Sequence, residues 1–220
     1  MRFQFFFLLL CLQLSLVSTL SAADTQQSIT INGDTPILIM KDDYNKVPLQ
    51  KVIRDIERDW YKVFGYPAVV FVNSIPSRWR GKDKPVVVLG SQQSLKDKIT
   101  VDFPNEKEQH KLFATKFDKY ENPAIVSIGA DVRGTIFAFY TFAERVLGID
   151  PMYIFTDNIP QKRKEIRFTP EMSYTSQKPS FEYRGWFIND EELHDGMHRD
   201  PLGGNVISME WMDKILETLL

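Results

Sequence analysis

The stretch Ala124-Ile125-Val126-Ser127-Ile128-Gly129-Ala130-Asp131-Val132-Arg133-Gly134 decides the fold class. Five residues of near-continuous apolar character read as a buried strand, and a glycine ends it. A helical period then runs through Ile136, Phe137, Tyr140, Phe142, Ala143, Val146 and Leu147 and closes at Gly148. A strand feeding directly into a helix is the repeating unit of an α/β domain. Two functions of the turn compete. A helix start after a parallel strand can hold an anion. The dinucleotide fingerprint needs three glycines, however, and this turn has them only at 129 and 134. The preferred reading is that Asp131 caps the helix and the glycines permit close packing. Val88-Leu89-Gly90-Ser91 is no better as a phosphate loop.

Upstream the same alternation holds. Ser28-Ile29-Thr30-Ile31 alternates polar and apolar, Asn32-Gly33-Asp34 is a turn signal, and Pro36 to Met40 is apolar. A hairpin is the expectation. Leu49, Val52, Ile53, Ile56, Trp60, Val63 and Phe64 recur at helical spacing before Gly65, where a cap belongs. Residues 68–72 and 85–89 read as buried strands, and a short polar helix follows Gly90-Ser91 through Leu95 and Ile99. Residues 102–122 are charged and turn-rich and read as a surface excursion. Trp60, Phe71 and the aromatics of 137–142 are expected in the core.

The ends are different in kind. Arg2, an apolar run from Phe5 to Cys11 and the small residues Ser21-Ala22-Ala23 read as a secretory signal over 1–23. The run is shorter than the roughly 20 apolar residues of a span, so no membrane anchor is expected once the signal is cleaved. The expected location is secreted, extracellular or periplasmic. Cys11 is the only cysteine and leaves with the signal, which excludes disulfides, a thiol nucleophile and thiolate metal sites. With 43% hydrophobic residues the chain can fold on its core alone. The remaining 26 basic and 29 acidic side chains give no support to a nucleic-acid partner.

Residues 169–180, with two prolines and several hydroxyls, read as a linker. Beyond it Tyr183-Arg184-Gly185-Trp186-Phe187-Ile188 reads as a strand ending in Asn189-Asp190-Glu191-Glu192. Residues at 209–220 read as an amphipathic helix. Neighbouring residues of a strand point to opposite faces, so at most one or two of the four polar groups reach a ligand. An acidic solvent loop is the competing reading. Arg184 within an apolar strand needs a partner or faces a pocket. Either a structural ion pair with Glu182 or another nearby acid, or a pocket in which its planar fork meets vicinal hydroxyls or a carboxylate, would satisfy it. His194 and His198 stand four apart, but Gly196, Pro201 and Gly203-Gly204 argue for loop, so neither a metal nor any other cofactor is expected.

Taken together, Ala130 to Tyr140 and Tyr183 to Glu192 resemble glycoside hydrolase family 115, the xylan α-glucuronidases. The resemblance implies an N-terminal hexosaminidase-like accessory α/β domain over 24–168, then the start of a (β/α)8 barrel over 181–220. It implies an inverting hydrolase that releases glucuronic acid or its 4-O-methyl ether from xylan, with glucuronoxylan as the substrate partner. Asp190 and Glu191 correspond to candidate catalytic carboxylates, and Asn189 and Arg184 to substrate-binding residues. On this likeness the chain stops within the first barrel helix, and an incomplete, inactive barrel is the expectation. A β-N-acetylhexosaminidase-like enzyme with the same accessory domain, and a carbohydrate-binding module without chemistry, are the alternatives.

Overall fold

The computed structural model describes residues 28–153, 156, 158–185 and 209–218. These residues form a mixed α/β fold around one six-stranded sheet. In chain order the strands are β1 (Ile29–Asn32), β2 (Ile37–Ile39), β3 (Val70–Val72), β4 (Val86–Ser91), β5 (His110–Phe117), β6 (Asn122–Gly129), β7 (Glu165–Phe168) and β8 (Tyr174–Thr175). The helices are α1 (Lys41–Tyr44), α2 (Val47–Phe64), α3 (Gln92–Leu95), α4 (Val132–Phe142) and α5 (Met209–Thr218). A π-helical turn, Ala143–Leu147, extends α4.

The main sheet has the order β3-β2-β4-β6-β5-β8. Its first four strands are parallel, while β5 runs antiparallel to both β6 and β8. Strand period sorts the central residues onto two faces. Ile37, Ile39, Val87, Leu89 and Ile125 join α2, α4 and the small β1–β7 pair in one core. Leu38, Val86, Val88, Val126 and Ile128 join Ile75, Leu95, Ile99 and Phe117 in another. Both faces are therefore covered, which is why β4 reads as an unbroken apolar run and is buried at every position. Helix α2 presents Leu49, Val52, Ile56, Trp60 and Val63 to the sheet and ends at Gly65, whose φ of 79° is the left-handed cap glycine tolerates. Each of these large side chains contributes about 1.5–3 kcal/mol of burial.

Three sequence expectations need correction. The 28–40 hairpin does not form. The turn is present, with the Thr35 amide bonded to the Asn32 carbonyl at 3.0 Å, but β1 pairs with β7 and β2 enters the main sheet. The reason is burial: β1 alternates buried and exposed, as an edge strand can, while β2 is buried throughout and needs parallel neighbours on both sides. Within residues 102–122, read as a surface excursion, His110–Phe117 form β5, which pairs along its whole length with β6. Strand β3 is an edge strand, not a buried one, with Val72 38% exposed.

The chain leaves β2 toward β3 on one side and returns to β4 on the other. The crevice between the carboxyl ends of β2 and β4 is thus the switch point where open α/β sheets bind ligands. Here Asp43 fills it. Its fully buried carboxylate accepts from the Ser91 amide at 2.7 Å, the Ser91 hydroxyl at 2.7 Å, the Ser94 hydroxyl, and Lys46 Nζ at 3.0 Å. Burial pushes the Asp43 carboxyl up, but the bonds from Ser94, Ser91 and Lys46 outweigh it and hold it below its ordinary value. Gly90 makes room, since a Cβ there would lie 2.9 Å from Asp43 Oδ2. Asp43→Ala is expected to lower stability by about 3 kcal/mol in urea denaturation, because four donors lose a buried acceptor. The pH dependence comes from the depressed carboxyl. Its stabilisation is complete above the unfolded value of about 3.9 and fades as pH falls through the lower folded value. Asp43→Asn is therefore expected to flatten the loss of stability below about pH 4.

Candidate functional site: the joint between the sheet and residues 176–184

Three of the four residues marked for chemistry, Asn189, Asp190 and Glu191, lie outside the described residues, as do Glu192, His194 and His198. The fourth, Arg184, is described, and it is bonded into the polar loop that precedes β5.

The site begins at the end of β6. Asp131 caps α4 through Oδ1, which accepts from the Gly134 amide at 2.7 Å. Its second oxygen accepts from the Glu108 amide at 2.9 Å. One carboxylate thus starts a helix and fastens the loop before β5. The glycines make this approach possible. A Cβ on Gly129 would sit 2.0 Å from the Thr135 nitrogen, and one on Gly134 would sit 2.7 Å from the Gln109 carbonyl oxygen. Asp131 as cap and the glycines as packing devices agree with the sequence reading.

Glu108 holds a φ of 62°, in the left-handed region that costs a residue with a Cβ about 1 kcal/mol or more. Its side chain is buried, and Oε1 pairs with Arg133 Nη1 at 3.1 Å while Oε2 pairs with Arg184 Nη2. Arg184 Nη1 also donates to the Phe181 carbonyl at 2.6 Å. Both guanidinium groups flank the Phe137 ring, 5.8 and 5.9 Å from its centre. Glu182, the sequence candidate for pairing Arg184, instead pairs with Lys107 at 2.6 Å.

The neighbours of Glu108 repeat the pattern. Glu106 pairs with Lys178 at 3.3 Å, and the Gln109 side chain donates to the Ser176 carbonyl at 3.2 Å. His110 and Ser176 are bonded both ways: the His110 amide donates to the Ser176 hydroxyl at 2.8 Å, and the Ser176 amide to the His110 carbonyl at 2.9 Å. Each residue from 106 to 110 therefore bonds to the segment 176–184. The region just before it, read as linker, carries the 3-10 turn Pro170–Met172 and strand β8, which pairs with β5 through Thr175 and Tyr174.

His110 and Tyr174 also wall a cavity of about 420 Å3, with Phe137, Tyr140, Tyr153 and Glu144. His110 Nε2 lies 2.9 Å from the Thr141 hydroxyl. Burial lowers the His110 pKa, the Glu108 backbone opposing and the Arg145 charge adding to the shift. Helix α5 adds Glu217 and Thr218 to the cavity wall. Its Glu217 pairs with Arg58 and its Asp213 with Lys51 at 3.0 Å. Arg58 also meets the buried Asp55 at 3.0 Å and Asp59 at 2.9 Å, and Tyr140 donates to Asp55 at 2.9 Å. No group of three or more metal-binding side chains occurs among the described residues, and none of their helices is long and apolar enough to cross a membrane.

No protein-family profile matches the chain, and no curated protein matches it. Its backbone is similar to a solved structure described as a novel family GH115 4-O-methyl-α-glucuronidase, BtGH115A, with specificity for decorated arabinogalactans. The TM-score is 0.60 and the identity 21%, over 87% of this chain and 24% of that one. The chain spans about a quarter of the length of that structure. At this identity the likeness is one of fold.

Two expected outcomes test the joint. Gly134→Ala is expected to cost about 1–3 kcal/mol, because the new methyl meets a backbone carbonyl rather than a flexible side chain. Calorimetry checks it, and an unchanged Tm would contradict the packing described. Acidification is expected to destabilise the fold through His110, whose folded pKa lies below its unfolded one. Its contribution is complete above about pH 6.5 and fades as pH falls through the lower folded value. His110→Gln is expected to remove that slope from the stability profile.

Proposed function

We propose that this chain is the leading part of a secreted glycoside hydrolase of the α-glucuronidase kind, acting on uronic-acid side chains of xylan with inversion. Residues 24–168 are its accessory α/β domain and residues 181–220 the start of a catalytic (β/α)8 barrel, joined by 169–180. Residues 1–23 direct it out of the cytoplasm. The observation that supports this reading most is the backbone likeness to a family GH115 4-O-methyl-α-glucuronidase over 87% of the chain. A separate support is the sequence resemblance of the Tyr183 to Glu192 stretch, whose polar end has the composition of a sugar pocket.

Inversion needs an acid and a base on opposite sides of the scissile bond, roughly 6.5–9.5 Å apart to admit water. Asp190 and Glu191 are adjacent, and adjacent residues of a strand face opposite ways. One of them is the proposed catalytic carboxylate, and its counterpart comes from another strand. Asn189 and Arg184 bind sugar hydroxyls in this reading. Two N–H donors of Arg184 are committed to Glu108 and the Phe181 carbonyl, its side chain is 36% exposed, and a guanidinium has five such donors.

Asp190→Asn and Glu191→Gln, made in the protein as its gene encodes it, test the proposal. At least one is expected to cut release of 4-O-methylglucuronic acid from glucuronoxylan by about 100-fold or more. Undiminished release by both would sink the site, and no release by the unaltered protein would sink the activity.

A further inference from the structure

Several ion pairs and amide bonds tie residues 106–109 to residues 176–184, and they are not equal. Lys107–Glu182 and Lys178–Glu106 join side chains that are more than half exposed, and such pairs hold little. Glu108 differs because its carboxylate is 2% exposed. A buried carboxylate requires a countercharge. Arg133, from α4, already supplies one. The second guanidinium, Arg184, is therefore surplus to neutralisation. It comes from the segment after β8, and it shares the carboxylate with Arg133. The rest of its setting is equally specific. The Glu108 amide is taken by Asp131, its backbone is left-handed, and the Phe181 carbonyl and Phe137 ring fix the guanidinium from two further sides. Positions held in a costly backbone conformation by several independent bonds concentrate where geometry matters for function.

We propose that Glu108 is a positioning residue. Its buried carboxylate sets the place and orientation of the Arg184 guanidinium at the start of the 183–188 stretch, so the α/β domain shapes the substrate site through one ion pair. The substrate half of this statement rests on the function proposed above. Its mechanical half does not. Removing the Glu108 charge releases Arg184 to solvent while Arg133 keeps its place on the helix. The guanidinium then samples many orientations, and bound substrate no longer meets donors arranged in advance. An interaction weakened equally in the ground and transition states raises KM and spares kcat.

The experiment uses the protein as its gene encodes it, with Glu108→Gln, which keeps shape and loses charge, beside Arg133→Met and Arg184→Met. Trypsin cleavage after Arg184 reads the clamp. Cleavage after Lys82, whose side chain is 74% exposed, serves as the reference site. Glu108→Gln is expected to speed cleavage after Arg184 by about tenfold and to leave cleavage after Lys82 unchanged. Its KM for glucuronoxylan is expected to rise about tenfold, with kcat within about twofold. Arg133→Met is expected to change neither, since Glu108 keeps Arg184. Arg184→Met, which leaves the Glu108–Arg133 pair intact, is expected to reproduce the KM increase, and an unchanged KM there would overturn the positioning role even if Glu108→Gln does not fold. Equal cleavage after Arg184 in Glu108→Gln and the unaltered protein would overturn the clamp. Faster cleavage with an unchanged KM would overturn the positioning role. Absence of uronic-acid release by the unaltered protein would overturn the function proposed above, while the trypsin comparison would still judge the clamp.

Discussion

One buried carboxylate, Glu108, shared between Arg133 of α4 and Arg184 of the segment beyond β8, ties the sheet to residues 176–184. Much of the local structure exists to put it there. Asp131 uses one oxygen for the helix cap and the other for the Glu108 amide. Gly134 has no side chain because the Gln109 carbonyl lies where a Cβ would be. Strand β5 begins at once after this loop, so the loop is anchored by eight residues of antiparallel pairing with β6. A buried charge is costly to abandon, and the loop cannot drift without unpairing it.

The same principle governs two other places. In open α/β sheets the switch-point crevice is the ordinary ligand site. Asp43 occupies it with its own carboxylate and satisfies Ser91, Ser94 and Lys46 there. The sheet is thereby a support, and interest moves to its border. On the flank of α2, Asp55 and Asp59 are buried beneath α5, with Arg58 between them and Glu217. Burial of Arg58 would lower its pKa, but Glu217 and the two aspartates raise it, so the cation is held firmly. Segment 176–184 and helix α5 thus both meet the domain through buried carboxylates paired with arginine, an arrangement that sets orientation more than affinity.

Most of this architecture was legible from spacing. The periods of β4, β6, α2 and α4 were strong because one or both faces are buried. Asp131 and the two glycines were readable because caps and tight turns leave local signatures. Strand β5 was not. Its Leu112, Ala114 and Phe117 are buried, but His110, Lys111 and Lys116 dilute the run, and the charged neighbours on both sides read as solvent loop. The hairpin failed because a turn signal fixes only the turn and not which strand the chain pairs with next. For the site, sequence alone left Arg184 with two readings. The structure supplies an acid partner, yet it is Glu108, 76 residues away, and not Glu182. Glu108 sits among Asn105, Glu106, Lys107 and Gln109, and nothing in that polar run marks one glutamate as buried. Long-range pairing of charges has no period to read.

If residues 105–110 and 176–184 form one fastened unit with the sheet, the amide of Ser176, bonded to the His110 carbonyl at 2.9 Å, is as protected as the amides of β6. Native-state hydrogen exchange measures this directly. Exchange of Ser176 together with Val126 and Ile128, through global unfolding, is the expected result. Exchange at the rate of an open chain, with β6 still protected, would show that the joint is loose and would contradict the account.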